Sequence, residues 1–474
     1  AAIEHYNKAI KVKPDYADPY NNLGLTLKGL GRHEEAIQSY NKAIEIKPDS
    51  SGAYYNLADL LMEIGKLEQA RIYYRRTLKL RPDFPEARLN YGVLLHELGC
   101  LEEAEAHVRK SIILNGHSAE AHNNLGGVFK QIKQLEKAKN HFLRALLLKQ
   151  NFPEAHNNLG IIWRELGELQ LSKTSCYDAI VQNPSNPEAH YNLGVTLQEC
   201  GSLIKATGFY KRAILLIPDL PNPYRNLGNT QKNLGQLKAA TTNLRCALIL
   251  HPNSAEVDHL LAALTGKKTN RAPLNYVENL FDSYAEKFDS SLIDKLEYQT
   301  PKHIKDVVLK YKGSKNMISV LDLGCGTGLA GLELRSYCNY LSGVDLSRSM
   351  LEQARLKGVY DHLSHGDIES FLKSENLDFD FFIAVDVFVY LGELTNIFHL
   401  IKSRNKSGGH VVFSTEHSDS GDFYLEKSGR YRHSQEYIEG ICKNLGFKML
   451  SFELQNIRKD MDRYITGGLY ALKF

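Results

Sequence analysis

A short glycine-rich segment carries the clearest chemical signal in this sequence. Gly324, Gly326 and Gly328 follow residues 320–323, a run typical of a buried strand, and Asp322 stands just before them. Glycine lets a ligand approach the backbone where a side chain would block it. A Gly-rich turn between a strand and a helix therefore suits a ligand that contains a nucleoside.

Acidic residues follow the next two predicted strands. Asp345 ends the run 340–345, and Asp367 follows the strand after it. The first carboxylate is placed to accept hydrogen bonds from both ribose hydroxyls, and the second to accept one from an adenine amine. We therefore predict that both residues bind the ligand, although an Asp beside a Gly turn also often caps a helix.

These residues depend on a sheet to bring them together. Strand-like runs at 318–323, 340–345, 379–385 and 410–414 alternate with amphipathic helical runs. This alternation predicts an α/β fold with a doubly wound, mainly parallel sheet. The loop by itself is compatible with a dinucleotide dehydrogenase or with a methyltransferase. Glycine at every second position departs from the G-x-G-x-x-G spacing of the dehydrogenases and favours the methyltransferase.

The loop and its acidic partners resemble the signature of class I S-adenosylmethionine-dependent methyltransferases, D-x-G-x-G-x-G. The resemblance implies a Rossmann-like sheet of seven strands, with the last two from residues 447–474 and the final strand antiparallel. It also implies that S-adenosyl-L-methionine is the cofactor. The residues expected to bind it are Asp322, Gly324, Cys325, Gly326, Gly328, Asp345, Leu346, Asp367 and Ile368.

Three further residues are candidates for contact with the methyl acceptor. Asp386 ends the fourth strand, so it is a candidate general base, or alternatively a contact to the methionine amine of the cofactor. Arg430 and His433 lie in an insertion after the fifth strand, where positive charge would suit an acidic acceptor. Exposed Arg and His side chains are more often simply solvated. The seven cysteines include no C-x-x-C pair, and we predict no metal site.

The first half of the chain repeats every 34 residues. Each unit reads as a helix, a Gly turn, a second helix and a Pro, with small residues at fixed positions where the helices approach. This pattern resembles the tetratricopeptide repeat (TPR) family. We predict a partial repeat, second helix only, at 1–16, seven repeats over 17–254, a capping helix at 255–265, a polar linker at 266–273 and the methyltransferase domain at 274–474.

One column of the repeats holds Asn without exception: Asn22, Asn56, Asn90, Asn124, Asn158, Asn192 and Asn226. Asn is unfavourable inside a helix, so an array of seven suggests a role. The array looks like that of O-linked N-acetylglucosamine transferase, where an asparagine ladder holds substrate peptides. We predict a ladder on the concave face that pairs with the backbone of an extended peptide. Alternatively, each Asn bonds a neighbouring helix, or the column survives from recent duplication.

Composition restricts the remaining possibilities. The 474 residues carry 58 Lys and Arg against 55 Asp and Glu, a net charge of +3, which disfavours dedicated nucleic-acid binding. No apolar run has the length of a membrane helix, so we predict a water-soluble chain with no membrane association. Seven scattered cysteines favour a reducing, cytoplasmic location. The chain begins at Ala1 in the middle of a repeat, and we expect residues before it. The oligomeric state stays open.

Residues 280–289, 385–392 and 428–434 together resemble bacterial predicted methyltransferases that carry TPR repeats in the same chain. We therefore predict an S-adenosylmethionine-dependent methyltransferase whose repeats recruit a protein or peptide, which is either the methyl acceptor itself or another partner. One alternative is an interaction scaffold with a weak or inactive methyltransferase domain. Another is a small-molecule methyltransferase that uses its repeats for assembly.

Overall fold

The computed structural model describes residues 2–282, 284–285, 288–290, 298–374, 377–460 and 463–474. The chain forms two compact units, Ala1–Thr230 and Gln231–Phe474, called unit 1 and unit 2 below. Within the described ranges, no helix is both long enough and apolar enough to cross a bilayer.

Unit 1 is built only from helices, which recur in pairs with the predicted 34-residue period. The helices are α1 (Ala2–Val12), α2 (Ala17–Gly29), α3 (His33–Ile46), α4 (Ser51–Glu63), α5 (Leu67–Leu80), α6 (Pro85–Glu97), α7 (Leu101–Leu114), α8 (Ala119–Gln131), α9 (Leu135–Leu148), α10 (Pro153–Glu165), α11 (Leu169–Gln182), α12 (Pro187–Glu199), α13 (Leu203–Leu216) and α14 (Pro221–Asn233). The last of them begins in unit 1 and ends in unit 2. The predicted all-α repeat array is confirmed.

Small residues bring the two helices of each repeat close together. A Cβ atom on Gly126 would lie only 2.7 Å from the Phe142 ring, so the aromatic residue of the second helix occupies the space that Gly leaves. The turn between the helices needs a left-handed residue, which is Gly in most repeats. Lys133 takes the same conformation, with φ 60°, in the repeat that lacks this Gly.

Unit 2 combines helices with one large sheet. Its helices are α15 (Leu237–Leu250), α16 (Ala255–Thr265), α17 (Leu274–Asp282), α18 (Phe288–Ser290), α19 (Thr300–Tyr311), α20 (Leu329–Leu334), α21 (Arg348–Lys357), α22 (Ile368–Ser374), α23 (Thr395–Arg404) and α24 (Gln435–Leu445). Its strands are β1 (Ile318–Leu323), β2 (Cys338–Asp345), β3 (His362–His365), β4 (Phe381–Ala384), β5 (His410–Ser418), β6 (Phe423–Leu425), β7 (Tyr431–Ser434), β8 (Lys448–Asp460) and β9 (Arg463–Lys473).

The sheet confirms the predicted mainly parallel α/β fold, with nine strands among the described residues instead of seven. Strands β3, β2, β1, β4 and β5 lie side by side and are all parallel. Strand β9 pairs antiparallel with β5 and then with β8, as expected of the final strand. The two additional strands form the short hairpin β6–β7, which pairs with the end of β5.

The sheet places the ends of four strands at one edge. Because β1 has β2 on one side and β4 on the other, the chain order reverses there, which is where open α/β sheets bind ligands. Buried apolar side chains such as Leu321, Phe382 and Phe413 fill the space between the sheet and its helices. This core fixes the strand ends, and therefore the loops that follow them.

Candidate functional site

The glycine loop after β1 turns through three left-handed residues. Gly324, Gly326 and Gly328 have φ values of 73°, 54° and 90°, a region that favours glycine. The backbone N–H groups of Gly324 and Cys325 donate to the Val344 carbonyl oxygen at 2.8 and 3.0 Å, which ties the loop to β2. A Cβ atom on Gly326 would meet nothing within 4 Å, so the loop leaves open space at that residue.

Asp345 joins the glycine loop to the start of α21. Its carboxylate accepts hydrogen bonds from the backbone N–H of Gly326 and of Ser347, each at 2.8 Å. Burial raises the pKa of this carboxyl group above its usual value, although both backbone hydrogen bonds act in the opposite direction. Each carboxylate oxygen has a second lone pair, so Asp345 can still accept hydrogen bonds from a ligand.

Asp322 is a buried carboxyl group with one unsatisfied oxygen. Its Oδ2 accepts a hydrogen bond from the Tyr360 hydroxyl at 2.7 Å. Its Oδ1 is buried and has no hydrogen-bond partner among the described residues. Burial, opposed by the bond from Tyr360 and assisted by the charge of Asp345, raises the pKa of Asp322 to about 7. This oxygen is therefore able to accept a hydrogen bond from a ligand or a water.

The segment predicted as a linker contributes to this site. Arg271 Nη2 donates to Asp367 Oδ1 at 2.6 Å. Asp367, the residue predicted to bind the adenine amine, therefore already forms an ion pair within the protein. The residues around Arg271 are bonded to the loop after β4. Gly392 N–H donates to the Asn270 carbonyl at 2.8 Å, and Ala272 N–H donates to the Tyr390 carbonyl at 2.9 Å.

Asp386 takes an uncommon backbone conformation at the end of β4. Its φ is 56°, a left-handed value that is strained for a residue with a side chain. The Ser414 hydroxyl donates to Asp386 Oδ1 at 2.8 Å, and the Tyr298 hydroxyl forms a further hydrogen bond to this carboxyl group. Burial raises the pKa of Asp386, which makes it a better proton acceptor than an ordinary aspartate.

Two arginines meet at a buried glutamate beyond Asp386. Arg430 Nη1 and Arg458 Nη2 lie 3.3 and 2.6 Å from the same oxygen, Oε1 of Glu416, whose side chain is only 2% exposed. Arg430 Nη2 also donates to the Tyr390 hydroxyl at 3.1 Å. The guanidinium groups are therefore held in fixed positions by the protein.

One cavity collects most of the predicted site residues. It encloses about 1080 Å³ of space outside protein atoms, part of it open to solvent. The predicted residues that line it are Gly324, Gly326, Asp345, Leu346, Asp367, Ile368, Asp386 and Arg430. Asp322 and Cys325 line a smaller cavity that shares the two loop glycines with the larger one.

Two of the site residues predicted in unit 2 line neither cavity. Gly328 stands at the N-terminus of α20, where its left-handed backbone begins the helix. His433 is fully buried, its Nε2 is 3.0 Å from the Gly392 carbonyl oxygen, and burial lowers its pKa to about 4. His433 therefore holds β7 to the loop after β4, which differs from the predicted contact with an acceptor.

Sequence inspection did not single out Arg271, Tyr298 or Arg458, which also line the large cavity. Arg271 lies in a segment whose polar composition resembled a linker, and Tyr298 precedes α19 with no motif around it. Arg458 reaches the site through an irregularity in the pairing of β8 with β9. No local sequence signal marks any of the three, because each is brought to the site by tertiary structure.

The Asn column of unit 1 forms hydrogen bonds from one repeat to the one before it. When the residue 35 positions earlier has a hydrogen-bond acceptor in its side chain, Nδ2 of the column Asn donates a hydrogen bond to it. The observed pairs are Asn56 to Asn21, Asn90 to Tyr55, Asn158 to Asn123, Asn192 to Asn157 and Asn226 to Tyr191, at 2.9–3.2 Å. The corresponding residue for Asn124 is Leu89, which has no acceptor in its side chain.

For five of the seven residues, this arrangement supports the alternative that the column Asn bonds a neighbouring helix. The side chain of Asn22, in the first full repeat, is exposed. Some of these amides make further hydrogen bonds within the fold. Asn90 Nδ2 also donates to Asp59, and Oδ1 of Asn158 and of Asn226 accepts from Lys130 and Arg225 respectively. Peptide binding by the column stays a prediction.

Each of the two units is similar to known protein families. Residues 321–413 match a family described as a methyltransferase domain. Families described as TPR or tetratricopeptide repeats match residues 1–31, 29–65, 55–120, 119–152 and 176–207. The N-terminal part therefore carries tetratricopeptide repeats, and a methyltransferase domain follows.

Similar individual proteins cover only part of the chain. The malonyl-(acyl-carrier protein) O-methyltransferase of Erwinia pyrifoliae is 32% identical over 108 residues, which are 23% of this chain and 41% of that protein. The ubiquinone biosynthesis O-methyltransferase of Alkalilimnicola ehrlichii is 26% identical over 114 residues, 23% of this chain and 46% of that protein. The chain thus spans less than half the length of these two relatives. Among solved structures, the APC/C hetero-tetramer Cut9–Hcn1 aligns with a TM-score of 0.48 at 17% identity, over 55% of this chain and 52% of that chain.

Proposed function

From the premise that this chain joins tetratricopeptide repeats to a methyltransferase domain, we propose that it is an S-adenosylmethionine-dependent methyltransferase whose repeats recruit a protein partner. The observation that carries the proposal is the cavity beside Gly326 and Asp345, where an open backbone turn faces a carboxylate. Those groups suit a nucleoside. A cytoplasmic location belongs to the same proposal.

The residues of the cavity fit S-adenosylmethionine. Asp345 would accept hydrogen bonds from the ribose hydroxyls, and Gly326 would leave room for the ligand against the backbone. Asp367 and Ile368 would contact the adenine, with Arg271 moving or sharing its ion pair. The unsatisfied Oδ1 of Asp322 would accept from the amino group of the ligand directly or through a water.

The remaining chemistry asks little of the protein. Bound S-adenosylmethionine supplies a methyl group on a sulfonium, which is already electrophilic. The chain has to exclude water, orient the acceptor and receive a proton. Asp386 is the proposed proton acceptor, because its pKa is raised by burial and it lines the cavity. Both relatives described above are named O-methyltransferases, and we propose an oxygen acceptor for this chain.

A transfer assay tests the enzymatic part of the proposal. The intact chain is incubated with S-adenosylmethionine labelled in the methyl group and with an extract of the source cells. We expect a labelled product from the natural chain and none from Asp345→Ala. Asp361→Ala is the matched control, because Asp361 also accepts a backbone N–H, from Leu341 at 2.7 Å, but lines neither cavity. Equal labelling by the natural chain and Asp345→Ala would contradict the proposal.

The repeats are proposed to deliver the acceptor or its carrier. A column amide such as Asn56 uses one side-chain N–H in its bond to Asn21, and the column recurs at a regular spacing that an extended peptide can follow. Replacing Asn124 by Ala removes an amide whose counterpart 35 residues earlier is Leu89, so the fold should be little affected. We expect this variant to lose labelling of the acceptor while its affinity for the methyl donor stays constant. Unchanged labelling would favour a small-molecule acceptor that needs no solenoid.

A further inference from the structure

Arg430 and Arg458 reach one end of the large cavity from different parts of the sheet. Arg430 directly precedes β7, and Arg458 belongs to β8. Both side chains line the cavity, and they are 28% and 11% exposed. The cavity wall beside them also contains the Asp386 carboxyl group, which is the proposed proton acceptor.

The position of the Arg458 side chain depends on a β-bulge in the sheet. The pairing of β8 with β9 shifts by one residue between Asn456 and Arg458, which makes Ile457 the extra residue of a β-bulge. A Cβ atom on Gly467 would lie 2.4 Å from Ile457 Cγ2, so only glycine leaves room for the bulge. Thr300 Oγ1 also donates to the Ile457 carbonyl at 3.1 Å. Bulges of this kind often re-aim a side chain beside an active site.

Glu416 fixes the two guanidinium groups without using all their donors. One of its oxygens contacts both arginines, at 3.3 Å from Arg430 and 2.6 Å from Arg458. The other lies 3.9 Å from Arg432, so three guanidinium groups gather around this one carboxylate. A guanidinium has five N–H donors in a planar fork. Arg430 and Arg458 can therefore bind a second planar anion from the cavity side.

We propose that Arg430 and Arg458 anchor a carboxylate group of the methyl acceptor, so that the acceptor is a carboxylic acid. The inference rests on the proposed function, because it identifies the substrate class of the same cavity. A guanidinium fork matches the planar geometry of a carboxylate. Val385, Val387 and Leu391 also line the cavity and suit the hydrocarbon part of such an acid. The methionine part of the methyl donor also carries a carboxylate that the two arginines could bind. The experiment distinguishes the carboxylate of the acceptor from that of the donor.

The test compares acids with their neutral amides. Benzoate and phenylacetate, and then benzamide and phenylacetamide, are titrated calorimetrically into the full chain with and without saturating S-adenosylhomocysteine. We expect each acid to bind at least about tenfold more tightly than its amide. Arg458→Gln should remove this difference and leave the affinity for S-adenosylhomocysteine within about threefold of the natural chain. Arg432→Gln should keep the difference, since Arg432 contacts Glu416 but does not line the cavity.

Three results would overturn the inference. The first is that the acids bind no better than the amides, or do not bind. The second is that Arg458→Gln leaves the preference for acids unchanged. The third is that Arg458→Gln weakens the binding of S-adenosylhomocysteine as strongly as the binding of the acids, which would assign the arginines to the donor.

If Arg458→Gln does not fold, as judged by circular dichroism, Arg458→Lys is used instead. It keeps the charge without the planar fork and should still lower the preference for acids. If S-adenosylhomocysteine does not bind the natural chain, the proposed function is contradicted. The titrations of the acids and amides without S-adenosylhomocysteine then test the arginine site by themselves.

Discussion

The Asn column of unit 1 and the carboxyl groups of unit 2 are both polar sets beside apolar cores, but their hydrogen bonds differ. Five of the column amides donate to a residue one repeat earlier, and the fold itself explains them. In unit 2, Asp322 keeps a buried oxygen with no partner among the described residues. Contacts within the fold explain those five amides, whereas Oδ1 of Asp322 stays available to accept a hydrogen bond. Asp322 also lines a cavity beside the glycine loop, so unit 2 has the stronger case for ligand binding.

Removing the central carboxylate of unit 2 should have the largest effect. Asp345→Ala deletes the acceptor proposed for the ribose and releases the N–H groups of Gly326 and Ser347. We expect the affinity for S-adenosylhomocysteine to fall by about a hundredfold or more, since hydrogen bonds to a charged group are each worth about 1.5–3 kcal/mol. Isothermal titration measures this. Asp361→Ala should bind normally, and a comparable loss in that control would show that the effect is structural.

The unusual pKa of Asp322 gives a second, pH-dependent test. Its folded pKa of about 7 exceeds the ordinary value of 3.8, so the stability linked to its proton is lost as pH rises through about 7. The Asp322→Asn variant has no carboxyl proton here and does not lose this stability. The free energy of unfolding of the variant minus that of the natural chain should therefore be larger at about pH 8 than at about pH 5, by on the order of 2 kcal/mol.

Urea denaturation at the two pH values measures the change, and Asp380→Asn serves as its control. Desolvation raises the pKa of Asp380, but hydrogen bonds and charge from Lys315 and Ser319 prevail and lower it overall. That group stabilises the fold above its unfolded pKa, so its Asn variant should lose stability at both pH values. A relative stability of Asp322→Asn that does not depend on pH would show that the carboxyl group is not buried in solution.

A methyl group on the glycine loop should have an intermediate effect. Gly326→Ala places a Cβ in the open space beside the loop, and we expect about tenfold weaker binding of S-adenosylhomocysteine. The left-handed backbone should also cost about 1–2 kcal/mol of stability. Gly358→Ala is the control, because Gly358 has a similar φ of 64° with open space around it and does not line the cavity. Equal affinities in the two variants would contradict the assignment of the loop.

The smallest expected effect concerns the repeats. Asn192→Ala removes a hydrogen bond to Asn157 at 2.9 Å from a nearly buried position, and should cost about 1 kcal/mol of stability. Asn124→Ala should have almost no cost, since the residue one repeat earlier is Leu89. Thermal denaturation measures both. If Asn124→Ala destabilises the chain as much as Asn192→Ala, the bond between repeats does not explain the column.

Patterns that are local in sequence predicted most of the fold. The 34-residue period fixed the helix pairs, and the strand runs with the glycine loop predicted the parallel sheet and the place of Asp345 and Asp386. Arg458 could not be found this way, because a bulge opposite Gly467 turns it into the cavity. The position of His433 was also beyond sequence inspection, since its contact with Gly392 depends on the packing of a distant loop.

The most direct test of the central claim is hydrogen–deuterium exchange of the full chain with and without S-adenosylhomocysteine. The account predicts slower exchange at the glycine loop, residues 324–327, and at 345–347 and 366–369, which line the two cavities. The helices of unit 1 should be unchanged. Protection confined to the repeats, or no protection at the loop under saturating ligand, would contradict the claim that this cavity binds the methyl donor.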